Sequence, residues 1–209
     1  DIKGREEILR VHAAKKPLGE DVDLKEIART TAGYTGADLE NLMNEAAIIT
    51  AKDGRFFINQ NDIRQAFIKT GIGEEKKSKV ISEKEKKITA YHEAGHAILF
   101  HLLPEMGPVH TISIIPTGMG AAGYTMPLPE QDEMFNSKKK MLENIVVDLG
   151  GRVAEELIFH DITTGASQDI KQATQMARAM VTQYGMSEKV GMIQYGGDEN
   201  EVFIGRDFG

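Results

Sequence analysis

The chain has 209 residues, of which 41% are hydrophobic and 27% charged, and its 25 Lys and Arg against 32 Asp and Glu give a formal net charge of −7 at pH 7. These proportions are typical of globular proteins and argue against a disordered, collagen-like or coiled-coil chain, while the acidic balance gives no reason to expect a nucleic-acid partner. Because cysteine is absent, disulfides and thiolate ligands are excluded, and a metal ion would have to be held by His, Asp or Glu.

Residues 1–72 are predicted to form four short helices joined by turns. Asp23 is expected to cap the second helix, and Thr35 to cap the third in a capping box with Asp38, while Asn59 precedes the fourth. The apolar side chains of the third helix recur at helical spacing and are Leu39, Leu42, Met43, Ala46 and Ala47. The pattern predicts a compact helical module in this part of the chain.

A charged segment with Gly71 and Gly73 at its start follows this module. Residues 71–87 are rich in Lys and Glu, as is typical of a solvated linker that leads into the charged first turn of a helix. We therefore predict a helical domain at 1–72, a linker at 73–82 and a second domain at 83–209.

The second domain is predicted to begin with a helix and a small β element. Ser82 has the capping-box spacing to Glu85, and the helix that it starts should stop before Pro104. Residues 109–115 are rich in β-branched side chains and predict a strand, with a partner strand over 121–126.

Two further helices are predicted after the strands. Ser137 is expected to cap a helix through Leu157 that glycines interrupt at 150–151, and Ser167 to cap another that runs to Tyr184. The chain as a whole is therefore expected to be α+β, mainly α with a small β element.

The segment His92-Glu93-Ala94-Gly95-His96 is an H-E-x-x-H motif within the helix that Ser82 begins. Residues i and i+4 lie on one face of a helix, so His92 and His96 can bind one zinc ion through their imidazoles. Glu93 lies beside them and can take a proton from a zinc-activated water that attacks a peptide carbonyl. Gly95 is costly inside a helix and indicates the close approach of another part of the chain.

A third zinc ligand has to come from farther along the chain, because catalytic zinc is usually held by three protein ligands. Glu155 and Glu156 are predicted to lie on a later helix and could supply it. Asp169 is the other candidate, in the first turn of the helix after Ser167, where a carboxylate also complements the helix dipole. Spacing alone leaves Asp169 and the two glutamates open.

Several other segments match one family in their order along the chain. In the second domain they are Gly123-Tyr124-Thr125, Leu149-Gly150-Gly151-Arg152-Val153-Ala154-Glu155-Glu156-Leu157, Thr163-Thr164-Gly165-Ala166-Ser167-Gln168-Asp169 and Tyr184-Gly185-Met186-Ser187. In the first domain they are Gly33-Tyr34-Thr35-Gly36-Ala37-Asp38-Leu39-Glu40-Asn41-Leu42 and Asn44-Glu45-Ala46-Ala47, which are similar to the second-sensor segment of a AAA+ lid. Together with the H-E-x-x-H motif they resemble the FtsH family of ATP-dependent zinc metalloproteases, over essentially the whole chain.

The resemblance implies a zinc metalloendopeptidase with a largely helical, zincin-like protease domain at 83–209. It implies that Asp169 is the third zinc ligand, and that Glu155 and Glu156 are structural or support the ligands. Glu93 would be the catalytic base.

The resemblance also implies that residues 1–72 are the small helical lid of a AAA+ ATPase. Positions that match His12, Gly36 and Ala37 contact the nucleotide in related ATPases. The strand near 120–124 is expected to bind substrate by adding a peptide strand to its edge, with an ordinary hairpin as the alternative.

Several properties of the family would belong to a longer parent protein. Family members degrade membrane and soluble proteins, form homo-hexamers and are anchored in the cytoplasmic membrane with these domains in the cytoplasm. This chain has no apolar run near the roughly 18 residues of a transmembrane helix, so the piece itself is expected to be soluble.

The chain lacks the Gly-x-x-x-x-Gly-Lys-Ser/Thr phosphate loop and the acidic magnesium-binding strand, so ATP and Mg²⁺ are expected to bind only in the parent protein. It is expected to stop before the last helices of the protease domain and to lack ATPase activity. The alternative function is a non-catalytic lid, oligomerisation and substrate-binding piece.

Overall fold

The computed structural model describes residues 1–72, 80–117, 121–128 and 133–196. Within them the helices are α1 (Ile2–Ala13), α2 (Leu24–Thr30), α3 (Gly36–Lys52), α4 (Gln60–Ile72), α5 (Glu83–Leu102), α6 (Lys138–Phe159) and α7 (Ser167–Thr182). The strands are β1 (Val109–Ser113) and β2 (Tyr124–Pro127), and a 3-10 turn covers Thr164–Ala166. The prediction of a mainly α chain with a small β element is confirmed.

Helices α1 to α4 pack around one apolar core. The predicted caps are confirmed, since Asp23 accepts from the first-turn N–H groups of α2, and Thr35 and Asp38 form the capping box of α3. The buried apolar side chains are Leu9, Ala13, Ile27, Ala28, Leu39, Leu42, Met43, Ala46, Ile58, Ile63 and Ala66. The apolar stripe of α3 is thus at the centre of this core.

Helices α5 and α6 cross at glycines, which allow their backbones to touch. A Cβ atom added to Gly95 would lie 2.5 Å from the carbonyl oxygen of Gly150 and 2.8 Å from the Cβ of Ala154. The close approach expected at Gly95 is therefore found. The expected interruption of α6 at Gly150 and Gly151 is wrong, because the helix is continuous and packing against α5 offsets their poor helix propensity.

Strands β1 and β2 form a two-stranded antiparallel sheet beside α5. The register pairs Ile112 with Thr125 and Ser113 with Tyr124. Strand β1 ends two residues before the predicted 115, and β2 begins three residues after the predicted 121 and ends one residue after 126. The expected substrate-binding strand near 120–124 lies partly outside the described residues, at 120, and its role stays a prediction.

The start of α7 differs from the expectation that Ser167 caps it. Ser167 is the first helical residue, and no side chain caps the helix. The 3-10 turn runs directly into α7, and its own cap is Thr163, whose hydroxyl oxygen accepts from the N–H of Gly165. The cap expected at Ser137 is confirmed, since its hydroxyl oxygen accepts from the N–H of Lys140.

Residues 73–79 of the predicted linker and residues 197–209 lie outside the described part of the chain. Within the residues that the structure describes, none of the helices combines the length and the apolar character that crossing a membrane requires.

Candidate metal centre

Helix α5 carries the H-E-x-x-H motif on its buried face. His92, Glu93 and His96 are each less than a tenth exposed. They are buried because α6 packs across this turn of α5 and β2 packs beside it. The helix therefore holds two imidazoles and a carboxylate in an enclosed place, as the motif predicts.

Asp169, in the first turn of α7, meets the two imidazoles. The Nε2 atoms of His92 and His96 lie 3.0 Å apart, and the Oδ2 atom of Asp169 lies 3.1 Å from the first and 3.6 Å from the second. Zinc binds such atoms at about 2.0–2.2 Å, so tetrahedral ligand atoms are separated by roughly 3.3 Å. The observed separations bracket that value, and the donor set of two imidazoles and one carboxylate suits zinc.

A backbone carbonyl fixes the orientation of His96. Its Nδ1 atom lies 2.7 Å from the carbonyl oxygen of Val147 in α6. A carbonyl only accepts, so Nδ1 carries the hydrogen and the lone pair is on Nε2. The side of His96 that faces His92 and Asp169 is therefore the side that can bind a metal.

A buried carboxylate faces the other side of His92. The Oε1 atom of Glu155 lies 3.5 Å from Nδ1 of His92, and the Glu155 side chain is almost fully buried. Thr163 holds it, because both its hydroxyl and its N–H donate to the Glu155 carboxylate, at 2.8 and 3.3 Å. Arg152 in turn donates to the carbonyl of Thr163.

The three carboxylates considered for the third ligand therefore have different surroundings. Asp169 faces the convergent Nε2 atoms, Glu155 faces the opposite nitrogen of His92, and Glu156 is exposed on α6. Among the described residues, the group able to hold a metal is His92, His96 and Asp169, whose ligand atoms lie within 4.8 Å of one another.

The Glu93 side chain is bound by Thr125 of β2. The Thr125 hydroxyl lies 2.7 Å from Oε2 of Glu93 and 3.1 Å from the Glu93 carbonyl oxygen. Burial raises the pKa of Glu93, while the hydrogen bond from Thr125 and the nearby histidines oppose that rise.

The same surroundings shift the pKa values of the neighbouring groups. Burial would raise the pKa of Asp169, but its contacts with His92 and His96 outweigh burial and hold the pKa well below the usual range. Burial lowers the pKa of His96, but Asp169 and the Val147 carbonyl outweigh it, so the net shift is upward. Burial and the Asp169 charge raise the pKa of Asp148 to about 6. The titratable groups around the two histidines thus have shifted pKa values, as is common at functional sites.

Glycine at 151 makes room for His92. A Cβ atom on Gly151 would lie 2.4–2.6 Å from three atoms of the His92 imidazole, closer than any packing allows. The sequence reasoning singled out no role for Gly151, Val147 or Thr125. Gly151 and Thr125 do fall within the segments that match the family, whereas Val147 acts through its backbone, which no residue pattern signals.

The predicted nucleotide contacts lie elsewhere, in the first four helices. His12 is in the last turn of α1, and Gly36 and Ala37 open α3. Helices α1 and α3 pack together, and a Cβ on Gly36 would lie 4.0 Å from Ile8, one turn before His12. Nucleotide binding by these residues stays a prediction.

Comparison with known proteins identifies relatives over both parts of the chain. Residues 79–209 match the model of peptidase family M41, and residues 21–65 match a AAA+ lid domain. The chain is 58% identical over 207 residues to a protein of Caldicellulosiruptor bescii named ATP-dependent zinc metalloprotease FtsH, covering 99% of this chain and 33% of that protein.

Two further relatives give the same result. The ATP-dependent zinc metalloprotease FtsH 2 of Alkaliphilus metalliredigens is 57% identical over 208 residues, which cover 100% of this chain and 30% of that protein. The ATP-dependent zinc metalloprotease FtsH 1 of Thermoanaerobacter sp. is 54% identical over 209 residues, 100% of this chain and 34% of that protein. The chain thus spans about a third of the length of these curated relatives.

Proposed function

The chain belongs to peptidase family M41, the zinc metalloproteases named FtsH, and from that premise we propose that it carries a zinc-dependent endopeptidase site. His92, His96 and Asp169 would hold the zinc ion, and Glu93 would be the general base. The observation that supports this assignment is the convergence of the three ligand atoms within 4.8 Å at a buried place.

The residues of the chain have distinct tasks in this mechanism. A zinc ion held by His92, His96 and Asp169 would supply Lewis acidity and would make water a better nucleophile near neutral pH. Glu93, which directly follows His92 in α5, would take the proton of the attacking water and then deliver it to the leaving amine. Val147 would keep the imidazole of His96 oriented through its Nδ1 side, while the Glu155 carboxylate faces Nδ1 of His92 at 3.5 Å.

The names of the relatives support a wider proposal for the full-length protein. We propose that residues 1–72 serve as the lid of an ATPase, and that ATP and Mg²⁺ bind with residues beyond this sequence. Unfolded and membrane proteins would be the substrates, the assembly would be a homo-hexamer, and the protein would be anchored in the cytoplasmic membrane with these domains in the cytoplasm.

A second function applies to these 209 residues as a separate polypeptide. The outer face of α6 exposes apolar side chains, among them Leu142, Val146, Val153 and Leu157. As the alternative, we propose that these 209 residues alone act as a non-catalytic lid, oligomerisation and substrate-binding piece that turns over no ATP. Measurable ATP hydrolysis by the purified 209-residue chain would refute the last point.

Replacing Glu93 by Gln tests the peptidase proposal. In the full-length protein, Glu93→Gln should still bind one zinc ion per chain but lose at least about 100-fold in the cleavage of an unfolded protein, since the base is gone and the ligands remain. Cleavage of casein and zinc content by mass spectrometry measure the two properties.

Two variants complete this experiment. Glu156→Gln changes an exposed glutamate of α6 in the same way and should cleave at the wild-type rate. His96→Ala should lose both zinc and cleavage. Normal cleavage by Glu93→Gln would exclude Glu93 as the base.

A further inference from the structure

The hydroxyl of Thr125 is the polar group that β2 presents to Glu93. Its oxygen lies 2.7 Å from a carboxylate oxygen of Glu93, a distance typical of a strong O–H···O hydrogen bond. The hydroxyl carries one proton, and the Glu93 carbonyl lies farther away, at 3.1 Å, so the carboxylate is the main acceptor.

The backbone around Thr125 is built to bring it there. The register of the sheet pairs Thr125 with Ile112. Two residues earlier, a Cβ on Gly123 would lie 2.6 Å from Thr89 and 3.3 Å from Cγ of Glu93, so the chain approaches α5 at van der Waals distance. Position 123 therefore has to be glycine for β2 to touch this turn of α5, and the contact with Glu93 follows from that approach.

A glutamate that moves a proton needs a fixed carboxylate, because the side chain has several rotatable bonds and a misplaced base loses rate steeply. One oxygen of Glu93 is held by Thr125, and that bond constrains the direction of the other. We propose that Thr125 is a positioning residue, whose hydroxyl orients the Glu93 carboxylate for proton transfer without touching substrate or metal. This inference rests on the proposed role of Glu93 as the base.

A structural role for Thr125 predicts something different. Threonine is favoured in strands for its β-branched shape, and valine would keep that shape while removing the hydroxyl. If shape were the reason for Thr125, a valine would serve equally well. Serine keeps the hydroxyl and loses the methyl group. It should therefore preserve a positioning role of the hydroxyl and impair a role that depends on the β-branched shape.

The test compares Thr125→Val, Thr125→Ser and Thr125→Ala in the full-length, zinc-loaded protein. Thr125→Val should lower kcat about 10- to 100-fold with KM within twofold of wild type, which is the effect of losing one hydrogen bond to a charged group. Thr125→Ser should retain at least a third of the wild-type kcat. The matched control is Thr111→Val on β1, whose hydroxyl contacts His110, and it should cleave normally.

Two measurements do not depend on turnover. The zinc content of Thr125→Val should stay at one ion per chain, and its crystal structure should show the Glu93 carboxylate rotated away from its wild-type direction. An unmoved carboxylate, or a loss of zinc, would overturn the positioning role. If Thr125→Val fails to fold, the Ser and Ala variants decide, since equal kcat values for these two would overturn the proposal.

The proposed function and this inference fail separately. Wild-type cleavage by Thr125→Val, beside an inactive Glu93→Gln, overturns the inference and leaves Glu93 as the base. Wild-type cleavage by Glu93→Gln overturns both.

Discussion

Asp148 directly follows Val147, whose carbonyl orients His96. The Asp148 carboxylate is partly buried and lies within electrostatic reach of Asp169 and His96. Its folded-state pKa is raised to about 6 from a usual 3.8. Raising a carboxyl pKa means that the folded state binds the proton more tightly than the unfolded state. The contribution of Asp148 to the stability of the zinc-free protein is therefore expected to become unfavourable as the pH rises from about 4 through 6.

The substitution Asp148→Asn removes the ionisable group and with it this destabilising contribution. At pH 8 the zinc-free variant should be more stable than the wild type by about 1 kcal/mol, once solvent screening of a partly exposed group is allowed for. At pH 4 the gain should vanish. Urea unfolding of the metal-free chain at both pH values measures the difference, with Asp161→Asn at an exposed position as a control for the substitution itself.

Bound zinc should abolish the stability gain of Asp148→Asn. A cation held by His92, His96 and Asp169 favours the ionised form of a nearby carboxyl, so the zinc-loaded Asp148→Asn variant should lose its advantage at pH 8. A gain of the same size with and without zinc would mean that the Asp148 carboxylate does not sense the metal centre.

For individual residues, the sequence predicted the candidate site only where its members share one helix. His92, Glu93 and His96 follow from the i, i+4 geometry of α5 alone. Asp169 lies 77 residues from His92, and only the fold of the chain brings them together. No local pattern distinguishes Asp169 from Glu155, because a first-turn carboxylate and a buried mid-helix glutamate both have ordinary structural reasons to exist.

The crossing of α5 and α6 is the packing feature on which the metal centre depends. Gly151 lies against the imidazole of His92, so that a single added methyl group has no space. Gly151→Ala should displace His92 from its partners, and we expect zinc affinity to fall at least about 10-fold, as for the loss of a group that orients a ligand. Competition with a chromophoric chelator measures the affinity.

A second glycine serves as the matched control for this substitution. Gly71 is also in a helix, but a Cβ there would meet only the Tyr34 hydroxyl at 3.7 Å, an ordinary contact. Gly71→Ala should leave zinc affinity unchanged and stabilise α4 by up to about 1 kcal/mol through helix propensity. Equal zinc affinities for Gly151→Ala and the wild type would show that α6 can move aside.

The sequence predicted the helices better than the details of how they meet. Caps at Asp23, Thr35 and Ser137 depend on a hydroxyl or carboxylate and an N–H three residues away, so they can be identified locally. The glycines of α6 were expected to interrupt the helix, since intrinsic propensity contains no information about a partner. These glycines are required because α5 packs against them, and only the tertiary structure shows that contact.

The molecule as a whole has its apolar core and its polar cluster in different parts. The core cluster of α1 to α4 is apolar, whereas the inward face of α5 and α6 buries charged and polar groups such as His92, Glu93, His96 and Glu155. Among the described helices and strands, α1 to α4 do not pack closely against the later elements, although the rings of Phe67 and His110 lie 6.0 Å apart. The predicted domain boundary stays a prediction.

We expect zinc to stabilise mainly one part of the chain. His92 and His96 belong to α5 and Asp169 to α7, so a metal ion held by them would join these two helices. Binding to the folded form alone adds about 4 kcal/mol at a free zinc concentration of 1,000 times Kd. Helices α1 to α4 contribute none of these three ligands.

Removal of zinc from the 209-residue chain should therefore lower one calorimetric transition by several degrees and leave a second unchanged. Hydrogen exchange should show protection lost in α5, α6 and α7 and kept in α1 to α4. Asp169→Asn should behave like the metal-free chain whether or not zinc is added, because it removes the charge that joins α7 to α5. A single transition that moves as a whole would show that the two parts unfold together, so that zinc stabilises the entire chain.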